Sequence, residues 1–281
     1  MSTGDTAPGV ADPDIDLLRA LCIELAESAG ALALAGRRAH EVSAETKSSP
    51  TDLVTRFDRA VEDHIRSVLA DRRPDDAVLG EEHASRPGTS GLEWVIDPID
   101  GTTNFVYDLP AWCTSVAVRI AGSGSPGTVL AGAVHVPTTG ETFHAGAGRG
   151  ARLGERPVAV STADDVSRAL IATGFGYDAA HRGVQARRIA ALLPRVRDIR
   201  RSGSAAHDLC SVACGRVDAY VEDAVNDWDV AAGLLICLEA GATATDSTGG
   251  PVRASDVVVA APGIHPELLV ALGDAAALGA G

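Results

Sequence analysis

The run Trp94-Val-Ile-Asp97-Pro98-Ile99-Asp100-Gly101-Thr102-Thr103-Asn104-Phe105 restricts the fold more than any other part of the chain. Trp94 to Asp97 reads as a short apolar strand. It ends in two carboxylates three residues apart, with Pro98 fixing the turn between them. A Gly-Thr-Thr segment follows, where a helix can begin and offer free backbone N–H groups. Two carboxylates on a rigid turn suit a hard divalent cation such as Mg²⁺, which takes oxygen ligands. Backbone amides at a helix start suit an anion such as phosphate. Together they point to one site for metal and phosphate. The same residues also make a common surface device, an Asp-Pro turn followed by an N-capping Asp. Taken alone, the run leaves both readings open.

Around this run the chain changes texture. Residues 1–13 lack periodicity and read as a disordered N-terminal tail. Leu17, Leu18, Leu21, Leu25 and Ala29 recur at helical spacing, which predicts a helix from Asp14 to about Arg38. A second helix is expected over Asp58–Ala70, and after Pro74 short strand-like runs follow at 77–79, 94–97, 115–120, 129–136 and 141–145. Beyond the glycine-rich region Gly146–Gly154, strands at 169–173, 196–200, 217–221 and 257–260 alternate with helices at 183–193, 205–214 and 229–240. That is layered α/β texture. The expected division is therefore an N-terminal α+β half over 14–152, a C-terminal α/β half over 153–272, and a flexible tail over 273–281.

Composition narrows the partners. With 46% hydrophobic and 22% charged residues, a chain of 281 can bury a core as one large or two smaller domains. Its 38 acidic and 24 basic residues give a net charge of −14, which repels phosphate backbones and argues against nucleic acid. No apolar run approaches the ~20 residues of a membrane helix, and the N-terminus lacks a signal-peptide pattern. Five cysteines without a CxxC pair read as reduced thiols, so a cytoplasmic protein is expected.

Two further acidic clusters favour the metal reading. Gly80-Glu81-Glu82 follows a short apolar strand, and Asn226-Asp227-Trp228-Asp229 precedes an apolar helix, with Asp229 where an N-cap is expected. With these the chain resembles the inositol monophosphatase family, within the wider group of lithium-sensitive, Mg²⁺-dependent phosphatases. The resemblance runs over about Asp14 to Leu272. Its first block is Lys47-Ser-Ser-Pro50-Thr-Asp52-Leu-Val-Thr55-Arg-Phe-Asp58. Gly80-Glu81-Glu82, Asp97-Pro-Ile-Asp-Gly-Thr-Thr-Asn-Phe105, Arg201-Ser-Gly-Ser-Ala-Ala206 and Trp228-Asp229 follow in register.

The resemblance implies a layered αβαβα sandwich and two or three Mg²⁺ ions. It assigns Glu81, Asp97 and the Ile99 carbonyl to the first ion, and Asp97, Asp100 and Asp229 to the second. Gly101 and Thr102 would offer N–H groups to phosphate, while Asp58 and Thr102, with Glu81 nearby, would orient and deprotonate the attacking water. Glu222 would contact polyol hydroxyls, and the Ala205 backbone would line the same pocket. The implied substrate is a small phosphorylated polyol or sugar, inositol 1-phosphate first, and the implied assembly a homodimer. Histidinol phosphate, fructose 1,6-bisphosphate and adenosine 3′,5′-bisphosphate are the competing substrates. A regulatory protein-binding role on the same scaffold is the competing class.

Other signals carry less. Gly122-Ser-Gly124-Ser-Pro126-Gly127 matches G-x-G-x-x-G but leads into a strand, so a turn is expected rather than a dinucleotide loop. Cys210 and Cys214, four apart on a helix, read as packing residues. His83 and His207 lie near candidate residues. Lys47, the sole lysine, sits on a polar loop, either solvated or able to reach the phosphate.

Overall fold

The computed structural model describes residues 13–40, 42–47 and 53–279. The expected N-terminal tail, apart from Pro13, and residues 48–52 of the first block lie outside the described residues.

The first helix, α1 (Ile15–Ala39), buries Leu18, Leu21, Cys22, Leu25, Ala29 and Ala33 at helical spacing. The Asp14 carboxylate caps it by accepting from Asp16 N–H and Leu17 N–H, at 3.0 and 3.1 Å. Two short strands, β1 (Ala44–Thr46) and β2 (Leu53–Thr55), pair antiparallel ahead of α2 (Arg56–Arg72). The next strands are β3 (Ala77–Gly80) and β4 (Leu92–Asp100), and a one-turn helix α3 (Thr102–Val106) follows them. Then come β5 (Cys113–Ile120), β6 (Val129–Val136), β7 (Glu141–Gly146), β8 (Ala151–Leu153) and β9 (Arg156–Pro157). These seven strands, β3 to β9, form one sheet in chain order, and only the β3–β4 pair is parallel.

The second sheet follows β10 (Leu170–Thr173), α4 (Ala179–Leu192), β11 (Asp198–Arg200) and α5 (Ala205–Ala213). It is completed by β12 (Ala219–Asp223), α6 (Asp227–Glu239), β13 (Thr243–Thr245), β14 (Asp256–Ala260) and α7 (His265–Gly279). Its order is β11-β10-β12-β14-β13, with β10 parallel to both β11 and β12.

Three apolar clusters stack these elements into five layers. Leu25, Ala29, Ile65 and Leu69 of α1 and α2 pack on Trp94, Ile96, Val116 and Ala131 of the seven-stranded sheet. On its other face Val95, Ala117, Val134 and Phe143 meet Leu209 and Ile236 of α5 and α6, which also cover Ala172, Tyr220 and Val257 of the second sheet. Outside that sheet, Ile171, Val221 and Val258 face Leu192 and Leu268 of α4 and α7. The order is αβαβα, as the resemblance implies. Because β4 is buried on both faces, its apolar run is continuous rather than alternating. Gly132 lets α6 lie close on the sheet: a Cβ there would stand 3.0 Å from the Ala232 Cα.

Several expectations need correcting. β4 does not end at Asp97 but continues to Asp100 through an irregularity in its pairing with β5 between those two residues. Helix α6 begins at Asp227, with Asn226 as N-cap, so Asp229 is its third residue rather than its cap. The stretch 273–279, expected as flexible tail, continues α7, because Leu268, Leu272 and Ala275 recur on one buried face. The expected division at 152/153 falls inside β8, since the first sheet runs on to Pro157. The Gly122–Gly127 segment is indeed the β5–β6 turn, closed by Ile120 N–H on Thr128 O at 3.0 Å. Among the described residues no helix is long and apolar enough to cross a membrane.

Candidate active site

The irregular end of β4 projects its two carboxylates toward the layer between the sheets. Asp97 Oδ1 accepts from Ile99 N–H at 3.1 Å, a local loop that fixes the carboxylate. Asp100 Oδ2 accepts from Ser204 Oγ and Ala206 N–H, both at 2.7 Å, and so caps α5 from across the chain. Asp229 Oδ2 accepts from Asn226 N–H at 2.6 Å, the return half of a capping box at the start of α6. Each carboxylate thus has one side tied to backbone. Asp97, Asp100 and Asp229 each present an oxygen such that all three lie within 4.8 Å of one another.

This cluster is electrostatically unfavourable by itself. Burial, then Glu81, Asp100 and Asp229, push the Asp97 carboxyl well above its usual range. Burial and then Asp100 raise Asp229, and the Asp97 and Asp229 carboxyls hydrogen-bond to each other. Burial pushes Asp100 up to about 6, although Ser204, Ala205 and Ala206 pull it back. Three acids held together with oxygen-only donors fit a hard cation, which would replace the protons they otherwise retain. Like charges in a buried site are costly without one.

Beside the cluster the chain turns sharply. Gly101 adopts φ +95°, and a Cβ there would stand 3.1 Å from both the Ala111 and Gly203 carbonyl oxygens, so only glycine fits. The first bond of α3 is Phe105 N–H to Gly101 O, which leaves the amides ahead of it without intrahelical partners. The Thr102 hydroxyl lies 3.0 Å from Asp58 Oδ1 and 3.1 Å from Ile99 O, and its single proton can serve either. Asp58 is fully buried and its Oδ2 accepts from Thr55 N–H and Oγ1. Burial raises its pKa, and the Thr55 and Thr102 hydrogen bonds oppose that rise.

A cleft lined by Glu81, Asp97, Asp100, Thr102, Ala205 and Glu222 connects these groups. Glu222, at the end of β12, accepts from Tyr220 Oη at 2.6 Å, and burial raises its carboxyl to about 7. The cleft lining therefore includes both the acidic cluster and a further buried carboxylate, Glu222.

A sequence profile of the inositol monophosphatase family matches residues 14–276. The chain belongs to the inositol monophosphatase family. An inositol-1-monophosphatase of Mycobacterium leprae is 42% identical over 94% of this chain and 96% of its own length. A Nus factor SuhB of Pasteurella multocida is 37% identical over 89% of this chain and 93% of its own. The solved structure of Mycobacterium tuberculosis SuhB superposes with a TM-score of 0.80 at 40% identity, covering 94% of this chain and 98% of that one. The inositol monophosphatase family consists of metal-dependent phosphoric-monoester hydrolases that act on phosphorylated substrates, and this chain is one of them.

Glu81, expected at the first ion with Asp97 rather than with the three clustered acids, lines the same cleft and is an electrostatic neighbour of Asp97. Its carboxylate also meets Lys47 Nζ at 2.8 Å, and Lys47 meets Glu82 at 2.5 Å. The ammonium neutralises carboxylates that burial would otherwise leave uncompensated. Although burial works against its charge, Glu81 and Glu82 hold the lysine above its usual pKa. Burial still pushes Glu81 up to about 7.

Sequence reasoning missed what holds Glu81. Glu62 lies beneath Gly80, where a Cβ would come within 2.2 Å of its Oε1. Glu62 accepts from Glu82 N–H at 2.7 Å and from Arg66 Nε at 2.6 Å, fixing the loop that carries Glu81. The glycine before two glutamates was its only sequence signal. Arg201 and Asp208, which also line the cleft, were given no role, although Arg201 opens the Arg201–Ala206 block and Asp208 lies two residues past its end. His83 pairs with Asp63, and His207, half-buried near Arg216 and Glu141, is not among the residues that line the cleft.

Proposed function

We propose that the chain hydrolyses inositol 1-phosphate to inositol and phosphate with Mg²⁺ as cofactor. The observation that carries this reading is the convergence of Asp97, Asp100 and Asp229 beside the Gly101–Thr102 amides, with Glu222 across the same cleft. Glu81, Asp97 and the Ile99 carbonyl would hold one ion, and Asp97, Asp100 and Asp229 a second, with a third weaker ion at Glu81. Bound Mg²⁺ supplies positive charge that offsets the negative charge spread over the phosphoryl oxygens.

The chain's own residues do the rest. The N–H groups of Gly101 and Thr102 bind a phosphate oxygen and orient the ester. Thr102 Oγ1 takes a proton from the attacking water as it passes its own proton to Asp58 Oδ1, which restores the hydroxyl and leaves the net proton on Asp58, while the departing polyol oxygen takes its proton from a second water. The raised pKa of Asp58 suits it to hold that proton. Glu222 accepts from a hydroxyl of the departing polyol, and the Ala205 backbone borders it.

The same reading makes the protein a lithium-sensitive, cytoplasmic homodimer, with the five free cysteines supporting a reducing compartment. The likeness to a Nus factor SuhB supports a second reading in which the scaffold also binds a partner. The net charge of −14 then favours a basic protein over nucleic acid.

Initial rates of phosphate release decide between substrates. They should be measured with Mg²⁺ or excess EDTA on inositol 1-phosphate, histidinol phosphate, fructose 1,6-bisphosphate and adenosine 3′,5′-bisphosphate. The highest kcat/KM is expected on inositol 1-phosphate, and no turnover in EDTA. Full turnover in EDTA, or preference for another ester, overturns the proposal.

A further inference from the structure

Beyond Glu222, the alcohol end of the cleft contains a second buried carboxylate that no step above uses. The C-terminal ends of the adjacent parallel strands β11, β10 and β12 lead into Arg201, Gly174 and Glu222. Such strand ends are where α/β sheets bind ligands. Gly174 makes room for Glu222, since a Cβ there would fall 2.0 Å from its Oε2. Facing this row, the first turn of α5 contributes Asp208, only 4% exposed. Its carboxylate accepts from the Ser202 hydroxyl and N–H.

A first-turn acid commonly serves its helix by complementing the macrodipole. Here that need is already met. Ser204 caps α5 by accepting from His207 N–H, and the Asp100 carboxylate accepts from Ala206 N–H. A second buried acid at the same end adds repulsion. Burial raises Asp208 to about 7, against the two Ser202 hydrogen bonds and Arg201, and Asp100 adds to the rise. A carboxylate retained at that cost, lining a binding cleft, is a candidate for contact with ligand.

We propose that Asp208 is a specificity-determining residue for the alcohol half of the substrate, paired with Glu222 so that two acceptors select a neutral polyol and reject a second phosphate. The proposal rests on the phosphatase reading above. Two carboxylates line the inner wall against Arg201, which is exposed and therefore screened. Hydroxyl groups donate to both acceptors without adding charge. A second phosphate on the leaving group brings further negative charge against them. Glu222 Oε2 is occupied by Tyr220, which leaves Oε1 as the acceptor for a ligand, and Asp208 is an electrostatic neighbour of Glu222 in the same cleft lining.

The test compares the full-length enzyme with D208N, which keeps an acceptor oxygen and the side-chain shape, and with D208A. Kinetics are read with Mg²⁺ on inositol 1-phosphate, fructose 1,6-bisphosphate and p-nitrophenyl phosphate, whose leaving group has no second hydroxyl. D208N should raise KM for inositol 1-phosphate about tenfold, the loss of one charge-assisted hydrogen bond, with kcat nearly kept. The nitrophenyl ester should change less than about twofold, and the bisphosphate should improve relative to inositol 1-phosphate. Removing a buried acid of raised pKa should leave Tm unchanged or higher near neutral pH. A uniform loss on all three esters, or a fall in Tm that accounts for the change, assigns Asp208 to structure and overturns the proposal. If the wild-type enzyme prefers inositol 1-phosphate and D208N is unaltered on it, the Asp208 proposal falls while the polyol reading stands. If the wild-type enzyme shows no such preference, the polyol reading itself falls, and the proposal with it.

Discussion

Asp97 and Glu222 are both buried carboxylates in one cleft, yet their surroundings separate their roles. Asp97 has Glu81, Asp100 and Asp229 as electrostatic neighbours, and its natural counter-charge is a cation. Glu222 has the Tyr220 hydroxyl as its hydrogen-bond partner and the Arg201 charge nearby. Asp97→Asn should therefore lower kcat by about 10²–10³-fold on inositol 1-phosphate, the size of a lost transition-state charge contact. Glu222→Gln should act mainly on KM, by about tenfold, because it loses one hydrogen bond to the alcohol. Steady-state kinetics on both variants check this, and comparable losses of kcat would collapse the division between metal and substrate residues. Gly101 belongs to the same scale: its left-handed backbone is what turns Asp100 and Thr102 toward one point.

At the scale of elements, the position of Asp229 depends on how the start of α6 is held. Arg119, on β5 and 6% exposed, bonds Asp227 at 2.5 Å, Glu93 at 2.8 Å and the Pro126 carbonyl at 2.8 Å. This ties the helix N-terminus to the seven-stranded sheet two residues before Asp229. Arg119→Met leaves Glu93 and Asp227 facing each other without a cation. It should cost about 3 kcal/mol of unfolding free energy, at the low end for a broken buried pair because both acids keep some solvent contact. It should also raise the Mg²⁺ concentration for half-maximal activity. Chemical denaturation and a Mg²⁺ titration measure the two effects; a stability loss with an unchanged Mg²⁺ response would separate the network from the site. The far end of the chain gives a second test. Leu272 is 2% exposed on α7, so Leu272→Ala should destabilise by about 2–4 kcal/mol in urea unfolding, whereas an alanine in a flexible tail would cost nothing measurable.

For the whole molecule, the acidic cluster and four buried or half-buried histidines pull stability in opposite directions with pH. Glu81, Asp97, Asp100 and Asp229 have folded pKa values above their unfolded ones, so the metal-free folded chain binds more protons than the unfolded chain. Their contribution is present at low pH and is lost as pH rises from the unfolded carboxylate range through about 6 to 7, the values of Asp100 and Glu81. His135, His144, His207 and His265 are lowered by burial, so their neutral forms favour folding above the usual histidine value and that contribution is lost below it. A cation needs the carboxylates deprotonated, and its binding expels the protons they hold. The rise in Tm on adding saturating Mg²⁺ should therefore be larger near pH 8 than near pH 6. Proton uptake by a weak buffer should accompany binding at the lower pH. Equal Tm shifts at both values would show that the cluster does not take up the ion.

Much of this was legible in residue order because it is local. The apolar run ending in Asp97 and Asp100, the glycine at 101 and the helical spacing from Leu18 to Ala33 are set by short-range sterics, periodicity and burial. The roles proposed for Asp58, Glu81, Asp97, Asp100, Thr102, Glu222 and Asp229 came instead from the family resemblance, whose blocks are themselves local stretches of the chain. What the sequence alone left undetermined depends on residues far apart in the chain meeting in space. The continuation of β4 to Asp100 needed β5 as a partner, and the helical spacing of Leu268, Leu272 and Ala275 became a buried face only against the outer side of the second sheet. Lys47 reached Glu81 and Glu82 only through the fold, as Glu62 reached Gly80 and Arg119 reached Asp227. The same holds for the cleft: Arg201, Asp208 and Glu222 come together because β11, β10 and β12 lie side by side with α5 packed over them. Hydrophobic periodicity specifies which face of an element is buried, but not which distant charge will be buried with it. That pairing is decided by topology, because a buried charge is stable only where the packed fold supplies its partner.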